Sequence, residues 1–278
     1  MNIPNKVLPK NIIDSIKRAR PVYAIGRRVR FALGSRMGAR AVPGLSGRAH
    51  YNDFMLASAS ADHVGRYRRG AQEFVDCLGR SLGEAGRDWD SVEACLEVGC
   101  GYGRIVRELR ARLDPARIYV ADVIEEGAQF TADEFGATAI PVIERSAQTM
   151  PARFDLVYLL SVYTHLRKDL VARNLAAVTR ALKSGGVLVF TTHGQGSAET
   201  AERYEQYWLD KNAVLDGLAR EGYYYARYPY YYDEYGLTWF RDQTMRACVA
   251  QAAPELEFVA HHPMDLEGHQ DIFVYRKR

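Results

Sequence analysis

At 278 residues, with 47% hydrophobic and 26% charged side chains, the chain has the composition of an ordinary globular protein with a sizeable core. The formal charge of +3 hides an asymmetry: residues 1–50 hold eleven of the 37 basic residues and one of the 34 acids, a balance of +10, leaving 26 basic and 33 acidic groups, or −7, for the remainder. No stretch approaches the roughly 20 apolar residues of a membrane span, no signal-like apolar core stands near the N-terminus, and Cys77, Cys95, Cys100 and Cys248 show no C-x-x-C spacing, so neither a span, a disulfide framework nor a zinc site is expected, and the setting expected is cytoplasmic.

The first fifty residues read as a basic helical arm and linker. Ile12, Ile13 and Ile16, then Val22, Ile25, Val29 and Ala32, recur at helical spacing among Lys17, Arg18, Arg20, Arg27, Arg28 and Arg30, with Pro21 separating two short helices and Pro43-Gly44 and Ser46-Gly47 marking the linker. Such an arm suits a peripheral contact with the inner membrane surface or an acidic partner, and equally a packing extension with a solvated basic face. Its few aromatics argue against nucleic acid. Residues 51–278 read as one domain, beginning with a helix whose apolar face is Val64, Tyr67, Ala71, Phe74, Val75 and Leu78.

The most informative stretch is Cys95-Leu96-Glu97-Val98-Gly99-Cys100-Gly101-Tyr102-Gly103-Arg104. It reads as a buried strand, a glycine-rich turn, and a helix whose apolar face is Ile105, Val106 and Leu109, with the helix's free N–H groups directed at whatever the turn cradles. A dinucleotide fingerprint would require a third glycine at position 104, where Arg104 stands. The pattern is E-x-G-x-G-x-G instead. In this the chain resembles the class I S-adenosylmethionine-dependent methyltransferases.

Three further segments extend the resemblance in order. Ile118-Tyr119-Val120-Ala121-Asp122 reads as a second strand ending in an acid nineteen residues beyond Gly103, where the family's carboxylate holds the ribose. Phe154 to Leu160 reads as the fourth strand, followed by Ser161-Val162-Tyr163-Thr164-His165-Leu166, with Thr164 as N-cap of a helix from Leu166 to Leu182. Ser184-Gly185-Gly186 then ends that helix with a left-handed turn before a fifth strand, Val187 to Thr192. Between them, Gly127 to Phe135 reads as a helix and Ala139 to Ile143 as a third strand whose Pro141 suits an edge.

The resemblance implies an α/β Rossmann-like fold: a seven-stranded, mostly parallel sheet with helices on both faces, an antiparallel last strand and an N-terminal helical extension. It implies S-adenosyl-L-methionine as cofactor, with Glu97, Gly99, Cys100, Gly101 and Gly103 shaping the methionine and ribose side, Asp122 and Val123 at the ribose, Ser146, Ala147 and Gln148 by the adenine, and Leu160 at the end of the fourth strand. Many members carry an acid where Ser146 aligns.

Insertions after the fifth strand commonly build the family's acceptor pocket. Here the insertion spans about 195–240, with a helical pattern from Ala198 to Arg220 and then eight of the eighteen tyrosines between Gly222 and Gly236. This window reads as a strand pair or loop with half-buried aromatic faces, and Tyr230, Tyr232 and Tyr235 are candidates to contact a sugar ring or polyol. The alternative is an aromatic cover with no ligand.

Methyl transfer is a displacement in which the protein aligns the acceptor, and a hydroxyl acceptor gains from a base. His193 and His165, each just past a strand at the carboxyl edge, are the candidates, with Tyr163 and Tyr235 weaker candidates to orient the acceptor. His261, His262 and His269 lie near Asp265 and Asp271, but their spacing matches no ligand motif, so no metal is expected. The reading is O-methylation of a small molecule or glycan. N-methylation of a small molecule or protein, and a non-catalytic cofactor-binding partner, are the alternatives; an N-P-P-Y-like motif for nucleobases is absent at Ser161-Val162-Tyr163-Thr164. The chain should close with a helix at Met245–Ala252 and strands at 256–260 and 270–275.

Overall fold

The structure is a computed structural model that describes residues 19, 21, 25, 29, 38–53, 55–56, 60–200, 209–228 and 235–278. The two arm helices, Tyr230 and Tyr232 lie outside or almost wholly outside this set. In chain order the elements are β1 (Ala39–Ala41), β2 (Arg48–His50), α1 (Ala61–Glu84), β3 (Cys95–Val98), α2 (Arg104–Leu109), β4 (Ile118–Ala121), α3 (Glu125–Phe135), β5 (Thr138–Ala139), α4 (Ile143–Thr149), β6 (Phe154–Leu159), α5 (Lys168–Ala181) and β7 (Leu182–Thr192). There follow α6 (Gln195–Glu199), α7 (Lys211–Glu221), β8 (Tyr223–Arg227), β9 (Gly236–Phe240), α8 (Asp242–Ala252), β10 (Leu256–Leu266) and β11 (Gln270–Lys277).

Seven strands form one sheet in the order β10-β11-β7-β6-β3-β4-β5. β5, β4, β3, β6 and β7 run parallel, while β11 is antiparallel to both β7 and β10. Helices cover both faces, so the central strands carry apolar side chains on both sides rather than alternating with polar ones. On β6, Leu156 and Tyr158 face one core with Phe74, Leu78 and Leu82 of α1 and Ile105 and Leu109 of α2, whereas Val157 and Leu159 face the other with Leu175 of α5 and Met245 and Val249 of α8. The chain order reverses between β3 and β6, which opens a crevice at their carboxyl ends, the place where open α/β sheets bind ligands.

Four local expectations are corrected. Pro43-Gly44 and Ser46-Gly47 form no linker: they lie in the turn joining β1 to β2, and the Arg107 guanidinium fastens this hairpin by donating to the carbonyls of Ser46 and Arg48. The third strand is two residues long, because the proline at 141 cannot extend a ladder and Ile143 already opens α4 with its side chain in the core. Thr164 does not cap α5. Residues 164–166 are instead drawn into pairing with β9, through Thr238 N to Thr164 O (2.9 Å) and Gly236 N to His165 O (3.0 Å), so the helix begins after Arg167. β7 begins at Leu182, with Gly185 at φ 74° inside a bulge opposite Phe154–Leu156.

Of the strand pair or loop expected of the tyrosine window, the window supplies one strand, β8, which pairs antiparallel with β9 at and beyond its end, with Tyr224 opposite Trp239. Of the expected helix from Ala198 to Arg220, the described parts are the end of α6 and most of α7. Among the described residues no helix is long and apolar enough to cross a membrane.

Candidate active site

The glycine turn at the end of β3 is held open by backbone geometry. Gly99, Gly101 and Gly103 all have positive φ (84°, 51° and 79°), and the N–H of Gly99 donates to Ala121 O at 2.8 Å, tying the turn to the end of β4. The glycines serve different ends. A Cβ on Gly99 would lie 2.5 Å from Val162 Cγ2, so Gly99 lets the turn meet the loop after β6. A Cβ on Gly101 would have nothing within 4 Å, so there the bare backbone faces an open cradle.

Asp122 stands beside that cradle and shapes it. Its Oδ2 accepts from Gly101 N and its Oδ1 from Ile124 N, both at 2.7 Å, while burial pushes its carboxyl pKa up against these two bonds. Each carboxylate oxygen keeps a further acceptor site for a ligand hydroxyl. Val123, 86% exposed, offers an apolar surface next to it. The cradle, an acceptor-rich carboxylate and an exposed apolar side chain together fit a nucleoside-bearing ligand. Gly101→Ala should therefore cost the fold only about 1 kcal/mol, the usual left-handed penalty, yet weaken ligand binding at least about tenfold. Thermal melts alongside titration check this, and unchanged affinity would place the ligand elsewhere.

Glu97 lies beneath the turn rather than in it. It is buried and accepts a hydrogen bond from Tyr158 Oη at 3.0 Å, and burial pushes its pKa up to about 8, with the nearby Asp122 adding to the rise. A carboxyl whose folded pKa exceeds its unfolded value contributes most stability at low pH and loses it as pH rises through the folded value. Glu97→Gln, which removes that titration, is expected to gain stability over wild type progressively from about pH 5 to pH 9, read as diverging melting temperatures. Parallel curves would contradict the buried neutral acid.

On the other side of the crevice, the ends of β6, β7 and β11 bring together side chains far apart in sequence. His193 is buried, with Nδ1 donating to Thr238 O at 3.1 Å and its ring 5.3 Å from Trp239 and 6.2 Å from His269. His165 Nδ1 donates to Gly236 O at 2.8 Å, its ring stacks on Tyr235 at 4.7 Å, and burial holds its pKa below the ordinary histidine value. A carbonyl only accepts, so both rings carry the proton on Nδ1 and, when neutral, the lone pair on Nε2. Ser161, at φ 56°, pairs with Gln270, whose Nε2 donates to Ser161 Oγ at 2.7 Å.

Residues 96–190 match the methyltransferase domain family. That segment, running from β3 into β7, carries a methyltransferase domain. No curated protein matches it. Among solved structures it is similar to an S-adenosylmethionine-dependent methyltransferase from Clostridium acetobutylicum (13% identity, TM-score 0.51, 74% of this chain and 91% of that one). It is likewise similar to the magnesium protoporphyrin IX methyltransferase from Synechocystis PCC 6803 with bound S-adenosylhomocysteine (13% identity, TM-score 0.52, 81% of this chain and 92% of that one). At such identity these similarities speak for the fold.

Several site expectations are corrected by the placement of the side chains. Tyr163 points into the core, where its hydroxyl donates to Asn174 Oδ1 at 2.9 Å and its ring packs on Phe190, so it cannot orient an acceptor. Ser146 is buried with Oγ donating to Pro141 O at 3.1 Å, and Ala147 lies in the same core as Leu159, because α4 turns both away from solvent; of the three adenine-side candidates only Gln148 is exposed. Cys100 is buried, its Sγ 3.7 Å from Gly101 O, and Leu160 packs half-buried against the core under α1. Both support the turn from behind.

Other residues around the crevice carried no sequence signal. His50, on β2, stacks on Tyr102 of the glycine turn at 4.5 Å, while Tyr102 Oη donates to Glu126 Oε2 at 3.2 Å. Asp53 accepts from Tyr67 Oη at 2.8 Å, which fastens the segment after β2 to α1. His261 and His262 point opposite ways, to Asp271 and Glu84. His269 and Gln270 reach the acceptor side only through the tight β10–β11 turn.

Proposed function

We propose that this methyltransferase acts on a hydroxyl oxygen of a small molecule or glycan, with His193 as the group that takes the hydroxyl proton. The observation that carries the reading is the pair of imidazoles, each with Nδ1 committed to a backbone carbonyl, beside an aromatic wall at the carboxyl edge of the sheet. Tyr228 and Tyr235 stack at 5.4 Å, and His165 lies against Tyr235, so the wall presents flat faces of the kind that hold sugar rings and polyols.

S-adenosylmethionine supplies a methyl group already activated on a sulfonium. The chain's own residues bind and orient. Asp122 would hold the ribose hydroxyls, Gly101 would admit the ligand to the turn, and Val123 with Gln148 would border the adenine. His193 Nε2 accepts the proton that the attacking hydroxyl loses, and Trp239 and the aromatic wall keep water from it. His165, whose ring lies against Tyr235, fixes the wall.

The test is release of S-adenosylhomocysteine from S-adenosylmethionine in the presence of a panel of sugars, polyols, phenols and amines, with products examined by mass spectrometry. The expected result is turnover that requires a hydroxylated acceptor and yields a methyl ether. Turnover with amines alone would overturn the oxygen assignment. Tight binding with no turnover on any acceptor would favour a cofactor-binding partner protein.

A further inference from the structure

The residue that follows the glycine turn is tied to the acceptor side by an ion pair across α1. Arg104 Nη2 donates to Glu267 Oε1 at 2.9 Å, its Nε donates to Tyr67 O at 3.1 Å, and its guanidinium lies 5.5 Å from the Tyr67 ring centroid. The crossing is made at Gly70, where a Cβ would overlap both Glu267 Oε1 and Arg104 Nη2. Glu267 sits in the β10–β11 turn with φ 49°, a left-handed conformation that few non-glycine residues adopt, and its N–H donates to Glu73 Oε1 at 3.2 Å.

The same residue holds His269. The carbonyl of Glu267 accepts from His269 Nδ1 at 3.2 Å, which fixes that ring's tautomer, and His269 Nε2 accepts from Gln270 Nε2 at 3.2 Å. Gln270 in turn holds Ser161, whose neighbour Val162 abuts Gly99. The cofactor turn is thus joined to the acceptor-side imidazoles at both ends: through Arg104, Glu267 and His269, and through Val162, Ser161 and Gln270. The His269 ring stands 6.2 Å from His193.

We propose that Glu267 is a positioning residue for methyl transfer: the Arg104–Glu267 clasp transmits the state of the cofactor turn to His269, and so sets the acceptor side of the site when cofactor binds. This rests on the reading of the glycine turn as the cofactor site. An ordinary ion pair of this exposure, with 35% of the Glu267 side chain accessible, contributes at most about 1 kcal/mol to stability and would affect nothing else. The two accounts separate cleanly. A structural pair moves the melting temperature a little; a clasp moves the response of His269 to ligand bound at the glycine turn.

The experiment follows the imidazole ring signals of His269 by heteronuclear NMR in the full chain, with and without S-adenosylhomocysteine, in wild type, Glu267→Ala and Glu267→Gln; His269→Gln assigns the signals. In wild type the His269 signals should shift on binding. Glu267→Ala should bind S-adenosylhomocysteine within about threefold of wild type but lose the His269 shift, and Glu267→Gln, which keeps a hydrogen-bonding oxygen for Arg104, should recover part of it. With an acceptor in hand, kcat of Glu267→Ala should fall about tenfold or more while KM for S-adenosylmethionine holds. An unchanged His269 response in Glu267→Ala would overturn the proposal, as would a wild type that binds the ligand with no His269 shift. A folded wild type that binds no ligand would instead overturn the underlying assignment of the turn.

Discussion

His193→Gln is expected to lower kcat by about 10²- to 10⁴-fold, the usual contribution of a positioned general base, with KM for S-adenosylmethionine unchanged. The reason is specific to the ring's setting. Thr238 O holds Nδ1 and Trp239 flanks the ring, so a glutamine side chain can neither keep that hydrogen bond and present a basic nitrogen nor be relieved by bulk water. His165→Gln should act differently, raising the acceptor's KM, because that ring supports Tyr235 of the aromatic wall. Steady-state release of S-adenosylhomocysteine from both variants decides between them. A His193 variant within threefold of wild type beside a collapsed His165 variant would exchange the two roles.

The second large effect is on binding. Asp122→Ala should weaken S-adenosylhomocysteine at least about 100-fold, or about 2.7 kcal/mol, because it removes two things at once: the acceptor for the ligand's hydroxyls and the carboxylate that holds Gly101 N and Ile124 N at 2.7 Å. Asp122→Asn separates these, since an amide oxygen can still accept one of the N–H groups. Stability should move the other way. Burial raises the Asp122 pKa, so the stability it contributes at low pH is lost as pH rises through the folded pKa, and the neutral amide should be at least as stable as wild type at and above neutral pH. Lost affinity without lost stability is the pattern of a residue kept for function; isothermal titration and melting at pH 8 measure both, and an Asp122→Asn variant that is less stable yet binds normally would contradict it.

Much of this site is legible in the sequence because its parts are short-range. The turn Gly99–Gly103, the acid at the end of the next strand and the histidines one residue past β7 and six past β6 follow from strand-then-turn patterns that any parallel sheet lines up at one edge. Ser146 and Tyr163 were misplaced for a common reason. Each depends on where a helix starts: α4 opens at Ile143, inside the stretch read as strand, and turns Ser146 inward, while α5 starts only after Arg167 and leaves Tyr163 in the loop before it; spacing alone does not fix the first turn. The displaced start of α5 shows the cause: residues 164–166 pair with β9, seventy residues on, and that pairing overrides Thr164 as a cap.

The remaining parts were illegible because they are long-range. Nothing near Arg104 announces Glu267, 163 residues away, or that Gly70 is the gap through which they meet. His269 looked like one of three histidines without a motif; its place follows from the β10–β11 register, which sets it beside Gln270 at the sheet edge. The pairs Pro43-Gly44 and Ser46-Gly47 read as a linker, whereas Arg107 binds that segment's carbonyls. Turn residues mark where a chain bends, and only tertiary contacts say whether the bend lies on the protein.

The most direct measurement is isothermal titration of the wild-type chain with S-adenosylhomocysteine. The cradle at Gly101, with Asp122 and Val123 beside it, predicts one site with a dissociation constant of about micromolar or tighter, and competition by S-adenosylmethionine. A folded chain that gives no binding heat at several temperatures, and no protection against melting by either ligand, would contradict the account at its centre.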